Sequence, residues 1–370
     1  MHELSARDAR RIAVRAQLLD ADRPSDLFEL VRRLSFLQND QTAAVAPNAE
    51  LVVWSRIGSS CPNGTVTTAF EEQALIDLHG LLRLPEDLAL FTAEMAEWPG
   101  LGDVPAWLAG QARWVQANTA FRRDILEELR RDGPLTGKQL PDTCEVSWKS
   151  SGWNNNRNVV MMLEMLVQKG EVAVAGRRGR ERLWDLAERV YPDDEPVPTA
   201  QALAIRNERR LHALGIARPQ GTASPGEPNG VEEAGEPAVI DGVKGTWRVD
   251  PSHLDGLSGA RFRGRVAVIS PLDRIVFERK RMEDLFDFDY QLEMYKPAHT
   301  RRWGYWAMPI LSGDRFVGKV DATTERKHHV LRVDAIHQDV AFGTTLTAKV
   351  HRELADLARW LAVDLVLPDR

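Results

Sequence analysis

Residues 170–190 read Gly170-Glu-Val-Ala-Val-Ala-Gly-Arg-Arg-Gly-Arg-Glu-Arg-Leu-Trp-Asp-Leu-Ala-Glu-Arg-Val190. The β-rich run Glu171 to Ala175 meets a Gly176-Arg-Arg-Gly179 turn and returns through Arg182-Leu-Trp184, the pattern of a compact hairpin. Three helical segments precede it: amphipathic Thr119 to Arg131, a short Leu135 to Leu140, and Asn156 to Lys169. Helices followed by a hairpin predict a winged helix-turn-helix. Between residues 115 and 190 the chain carries 13 basic against 11 acidic residues, and Lys169, Arg177, Arg178, Arg180, Arg182 and Arg189 crowd around the hairpin. Such a cluster suits phosphate contacts, or else is an ordinary solvated hairpin tip.

The same order is read further upstream. Residues 7–21 and 27–37 have helical periodicity, with Leu27, Leu30, Val31, Leu34 and Leu37 forming one apolar stripe behind a Ser25 or Asp26 cap. Glu50 to Ile57 and Thr65 to Phe70 then read as strands separated by the Gly58–Gly64 turn, which predicts a first winged helix. Downstream, residues 199–214 form a helix, and residues 218–245 are rich in Pro, Gly and Glu, as in a flexible connection. Short strands follow at 261–269, 305–311, 315–323 and 330–337, and a final helix at 345–361 carries Leu346, Val350, Leu354, Leu357 and Leu361 on one stripe.

The fold class expected is therefore α+β: tandem winged helix-turn-helix domains, then a small C-terminal antiparallel β-barrel or sheet with a terminal helix. The expected segments are 1–114, 115–192, 193–245 as a helix with a degenerate third winged helix or linker, and 246–370. At 370 residues, 43% hydrophobic and 28% charged, the chain is too long for one small module and too apolar for disorder throughout. A formal charge of −6 speaks against a general polyanion binder, so any DNA-contacting charge must be clustered. Two cysteines, Cys61 and Cys144, exclude a disulfide framework and show no zinc spacing. No uncharged run of 18 residues and no apolar leader is present, so a cytoplasmic protein without a membrane partner is expected.

Three stretches in order resemble the YcaQ/AlkZ family of winged-helix DNA glycosylases, which remove N7-alkylated purines and unhook interstrand crosslinks. The first is Leu37-Gln38-Asn39-Asp40 followed by Val53-Trp54-Ser55-Arg56, similar to the family's Gln-hydrophobic-Asp motif and the segment after it, with polar Asn39 in the middle place. The second is the 170–190 hairpin. The third runs through Ser270-Pro-Leu-Asp-Arg274, Arg279-Lys-Arg281, Phe286-Asp-Phe-Asp-Tyr290, Glu293-Met-Tyr-Lys-Pro297 and Arg301-Arg-Trp-Gly-Tyr305.

The resemblance implies a monofunctional glycosylase with chemistry suited to a cationic base: Asp40 stabilises the developing sugar cation and activates water, and Gln38 positions that water. Arg56, Arg177, Arg178, Arg180, Arg182, Arg279, Lys280, Arg281, Arg301 and Arg302 are the expected DNA contacts. The implied partner is double-stranded DNA carrying alkylated or crosslinked purines, met by a monomer that uses no cofactor and no metal. From the residues alone, Trp54 reads as a core anchor and His79 as a helix-end residue. Trp303 and Trp306 are expected to divide between core and surface. A non-catalytic winged-helix DNA-binding protein, such as a transcriptional regulator, and a protein-interaction scaffold are the rival readings.

Overall fold

The computed structural model of the chain describes residues 1–150, 152, 157–221, 223–224, 227–258 and 262–368. It is a mixed α and β structure that divides into two compact units, one of Met1–Thr67 with Asn207–Arg370 and one of Thr68–Arg206. Those boundaries differ from the four consecutive segments expected above, because the first 67 residues share their core with the C-terminal part of the chain. No helix among the described residues is long and apolar enough to cross a membrane.

In the first unit, helix Ala6–Ala16 starts at Ser5 and helix Leu27–Leu34 at Asp26, whose carboxylate accepts from the Glu29 amide. Ser35 takes a left-handed conformation and ends the second helix three residues earlier than its apolar stripe suggests, so Leu37 and Gln38 lie in a short extended segment.

The expected strand at 50–57 is a helix, Asn48–Ile57, and the expected strand at 65–70 is helix Thr65–Glu71. Every residue of Asn48–Ile57 is buried. With no solvent face to set a period, an apolar run of that length reads equally as strand or helix, and Pro47 and Gly58 at its two ends mark the helix. Leu51 and Trp54 enter the core beneath a five-stranded sheet ordered Val266–Val268, Ala307–Ser312, Arg315–Glu325, Val330–Gln338, Asp364–Val366. Helix Thr344–Trp360 closes this core with Val350, Leu354 and Leu357, while Leu346 and Leu361 pack at its margin. Burying each such side chain contributes about 1.5–3 kcal/mol.

The expected flexible connection at 218–245 is ordered where described. Glu236–Ile240 and Val243–Val249 pair antiparallel, and His2–Leu4 and Ile216–Ala217 complete a four-stranded sheet. Gly235 and Gly242, both at positive φ, flank strand Glu236–Ile240, and the segment's apolar anchors Val231, Ala238 and Ile240 are spaced too irregularly for a periodicity reading.

In the second unit, helices Thr119–Asp132 and Asn158–Gln168 precede the hairpin Val172–Arg178/Glu181–Leu186, with Arg178 opposite Glu181 and Gly179 at φ +62° in the turn. The expected short helix at 135–140 is instead strand Leu135–Thr136, pairing with Trp184 and Leu183. A second hairpin, Ile76–Leu78/Leu81–Arg83, joins the first through Asp77 opposite Val174. His79 and Gly80 both have positive φ, as a two-residue turn of this hand requires, so His79 is a hairpin-turn residue and not a helix end.

Candidate active site

Gln38 ends the extended segment after helix Leu27–Leu34, and Asp40 follows two residues later in irregular backbone. Both are half-buried. The Asp40 Oδ1 atom accepts from the Thr42 amide at 2.7 Å, while its Oδ2 and the Gln38 side-chain amide hold no hydrogen bond among the described residues. Polar Asn39 accepts from Gln41 Nε2 at 2.9 Å, so its side chain is used within the loop.

The backbone of this segment is fixed by Asn48, a residue that the sequence motifs do not single out. Asn48 is 1% exposed at the start of the buried helix. Its Nδ2 donates to the Gln38 carbonyl at 3.1 Å and its own amide donates to the Asp40 carbonyl at 3.2 Å. The Ser270 hydroxyl donates to Asn48 Oδ1 at 2.7 Å and is itself buried. Further along, the Thr324 amide donates to the Ala44 carbonyl at 2.8 Å, so the loop from 38 to 48 is also tied to the five-stranded sheet. One residue thus sets the position of both neighbours of Asn39. The sequence signal that points toward it is Ser270, at the head of the Ser270-Pro-Leu-Asp-Arg274 stretch.

Arg56 faces inward and is fully buried, which corrects its expected place as a DNA contact. Its guanidinium forms a two-point ion pair with Asp273, the Nη2–Oδ1 bond being 3.0 Å, and its Nε donates to the Gln17 carbonyl at 3.1 Å. Asp273 Oδ1 also accepts from the Ile275 amide at 3.0 Å. Gln38, Asn48, Arg56, Asp273 and Arg274 border a narrow cleft with about 10 Å³ of room for water, space for roughly one molecule. Burial pushes the Arg274 guanidinium down to about 10, where it remains charged at neutral pH, and its Nη1 donates to the Leu34 carbonyl at 2.9 Å.

The other expected contacts divide by exposure. Arg281 is buried and donates to the Ile216 and Leu214 carbonyls, so it too is structural and not a DNA contact. Arg279 and Lys280 are exposed, Lys280 bonding Asp284 at 2.6 Å. On the hairpin, Arg178 and Arg180 are exposed and Arg177 is half-buried, whereas Arg182 pairs with Glu164 and lies over the Trp184 ring. Trp303 and Trp306 are both core residues; Tyr305 is the aromatic at the surface, with Arg301 5.0 Å from its ring centre. Arg302 is exposed and pairs with Asp289 at 3.0 Å. Trp54 is buried, as expected, and donates from Nε1 to Asp356 at 3.1 Å.

A model of the family described as "DNA glycosylase AlkZ-like" matches residues 31–360, which include every residue of the Gln38–Asn48 loop and both hairpins. The chain belongs to the AlkZ-like DNA glycosylase family. Among solved structures it is similar to the Streptomyces sahachiroi DNA glycosylase AlkZ, with a TM-score of 0.63 and 16% identity over 99% of this chain and 100% of that chain. At that identity the likeness establishes a shared fold. Family membership supports a DNA glycosylase activity and a DNA substrate for this AlkZ-like chain.

Proposed function

We propose that this AlkZ-like protein is a monofunctional glycosylase that hydrolyses the N-glycosidic bond of N7-alkylated purines in double-stranded DNA, crosslinked purines included. The observation that carries the reading is the half-buried Gln38-Asn39-Asp40 segment, held at both carbonyls by Asn48 with the Gln38 amide and Asp40 Oδ2 uncommitted. Alkylation at N7 makes the purine a cationic leaving group, so the bond breaks without a general acid. The bonding pair moves onto the base and neutralises it, while positive charge develops at the sugar. Asp40 stabilises that charge and takes a proton from the water that bonds to the anomeric carbon; Gln38 orients the water through its amide. The products are a free base and an abasic sugar.

The cleft beside Gln38 holds space for a water and none for a purine, which favours a partly extruded base at an open surface over one enclosed behind Gln38. In the second unit, helices Thr119–Asp132 and Asn158–Gln168 with the Val172–Leu186 hairpin are read as a winged helix, and the protein acts as a cytoplasmic monomer. One observation favours the rival non-catalytic regulator: the Asp40 Oδ1 bond to the Thr42 amide is the ordinary side-chain turn of an aspartate two residues before its donor. The readings separate on release of free N7-methylguanine and on unhooking of a nitrogen-mustard crosslink by the wild-type protein. The regulator binds DNA and releases nothing.

Three further outcomes are expected. Asn48→Ala removes the side-chain clamp on Gln38, and single-turnover base release is expected to slow about 10- to 100-fold with DNA affinity unchanged, as misplacement of a positioned group predicts. Ser270→Ala is expected to act in the same direction and less strongly. On the hairpin, Arg178→Ala with Arg180→Ala is expected to weaken binding to all DNA sequences alike. Each phosphate left without its arginine lowers the magnitude of the slope of log affinity against log salt by about 0.9, roughly 2 for the pair. Titrations at several salt concentrations check this.

A further inference from the structure

His212, Asp250 and His253 come together away from the Gln38 loop. They lie near the end of helix Thr199–Leu214, just after strand Val243–Val249, and within helix Pro251–Ser258. One ligand atom from each residue lies within 4.8 Å of the other two. His212 Nδ1 is 2.7 Å from Asp250 Oδ2, and the two imidazoles stack with centres 5.2 Å apart. Asp250 Oδ1 is held separately by the Ser252 amide at 2.8 Å and the Ser252 hydroxyl at 2.7 Å, which turns Oδ2 toward His212. His253 is 5% exposed, and its Nε2 sits 3.1 Å from the His212 carbonyl oxygen.

We propose that these three residues bind one first-row divalent cation, of which Zn²⁺ is the best match. Two imidazoles and one carboxylate are a donor set that zinc accepts at three positions, with water at the fourth. Ligands of a tetrahedral ion bonded at about 2.1 Å stand roughly 3.4 Å apart, and the separations here, 2.7 Å between His212 Nδ1 and Asp250 Oδ2 and no more than 4.8 Å for the others, lie around that spacing. Both outer contacts needed to orient such ligands are already made: Ser252 on the carboxylate and the His212 carbonyl on the His253 ring. The His212 side chain is 44% exposed, which leaves the ion a route in and room for the water. The site involves neither Gln38 nor Asp40, so its role is to fasten the start of helix Pro251–Ser258 to His212.

The test is titration of the metal-free full-length protein with Co²⁺, whose tetrahedral complexes absorb strongly in the visible range, followed by displacement with Zn²⁺. One equivalent of Co²⁺ is expected to bind and Zn²⁺ to displace it. The affinity is expected to fall at least 100-fold in His212→Ala, whose half-exposed ring can be removed without opening the core, and in His253→Ala. Zn²⁺ is expected to raise the thermal unfolding temperature of the wild type and leave that of His212→Ala unmoved. Absence of uptake, or uptake equal in wild type and His212→Ala as binding at His328, His329 or another surface histidine gives, overturns the proposal. The readout is independent of base release, so failure here and failure of the glycosylase reading are separate results.

Discussion

Arg56→Met is expected to destabilise the protein by about 3–5 kcal/mol while removing no contact to DNA. The Arg56–Asp273 pair is buried on both sides, at 0% and 1% side-chain exposure, and Asp273 is left as an uncompensated carboxylate when the guanidinium goes. The Gln17 carbonyl loses its Arg56 donor as well. Replacing both charges, Arg56→Met with Asp273→Leu, is expected to recover much of the stability, because the cost lies in the orphaned charge more than in the pair. Urea and thermal unfolding measure this. A change under about 1 kcal/mol accompanied by a reduced salt slope for DNA binding would instead return Arg56 to the phosphate contacts.

Arg56 also shows why the sequence is legible only in part. On a strand its guanidinium has a solvent face; on the wholly buried helix Asn48–Ile57 it has none, and the distinction rests on tertiary packing against the C-terminal sheet. Residues 170–190 are legible because one chemical pattern, β-rich arms around a Gly-containing turn, is local and repeats no other element's period. The C-terminal strands and helix are legible for the same reason: Val350, Leu354 and Leu357 announce one buried face. The segment 218–245 is not, since its strand Glu236–Ile240 is flanked by Val243–Val249 on one side and, on the other, by His2–Leu4 from more than 200 residues away in the chain.

At the candidate site, Gln38 and Asp40 are visible as a motif through family likeness, whereas Asn48 and Ser270 act by hydrogen bonds that have no sequence spacing to recognise. His212 and Asp250 are separated by 37 intervening residues, so no compact metal-binding spacing betrays them. Charge alone gives a mixed result for DNA contacts: Arg178, Arg180, Arg279 and Arg302 are exposed, and Arg281 is spent on backbone carbonyls inside the core.

Asp40→Asn is expected to lower single-turnover release of N7-methylguanine by at least about 10²-fold, the scale on which removal of a preorganised electrostatic group acts. The amide keeps the size of the side chain and can keep the acceptor that holds the Thr42 amide, so the turn persists and the loop remains fixed by Asn48. What disappears is the negative charge beside the developing sugar cation and the base that accepts the water's proton. Because the substrate's own charge drives departure of the base, some residual release is expected.

The decisive comparison measures base release and DNA affinity together, for wild type and Asp40→Asn, on the same duplex containing N7-methylguanine. Release by the wild type, a drop of at least about 10²-fold in the variant, and equal affinity in both is the predicted result. Tight binding by both proteins with no release from either, or equal release from both, contradicts the assignment of Asp40 as the catalytic carboxylate.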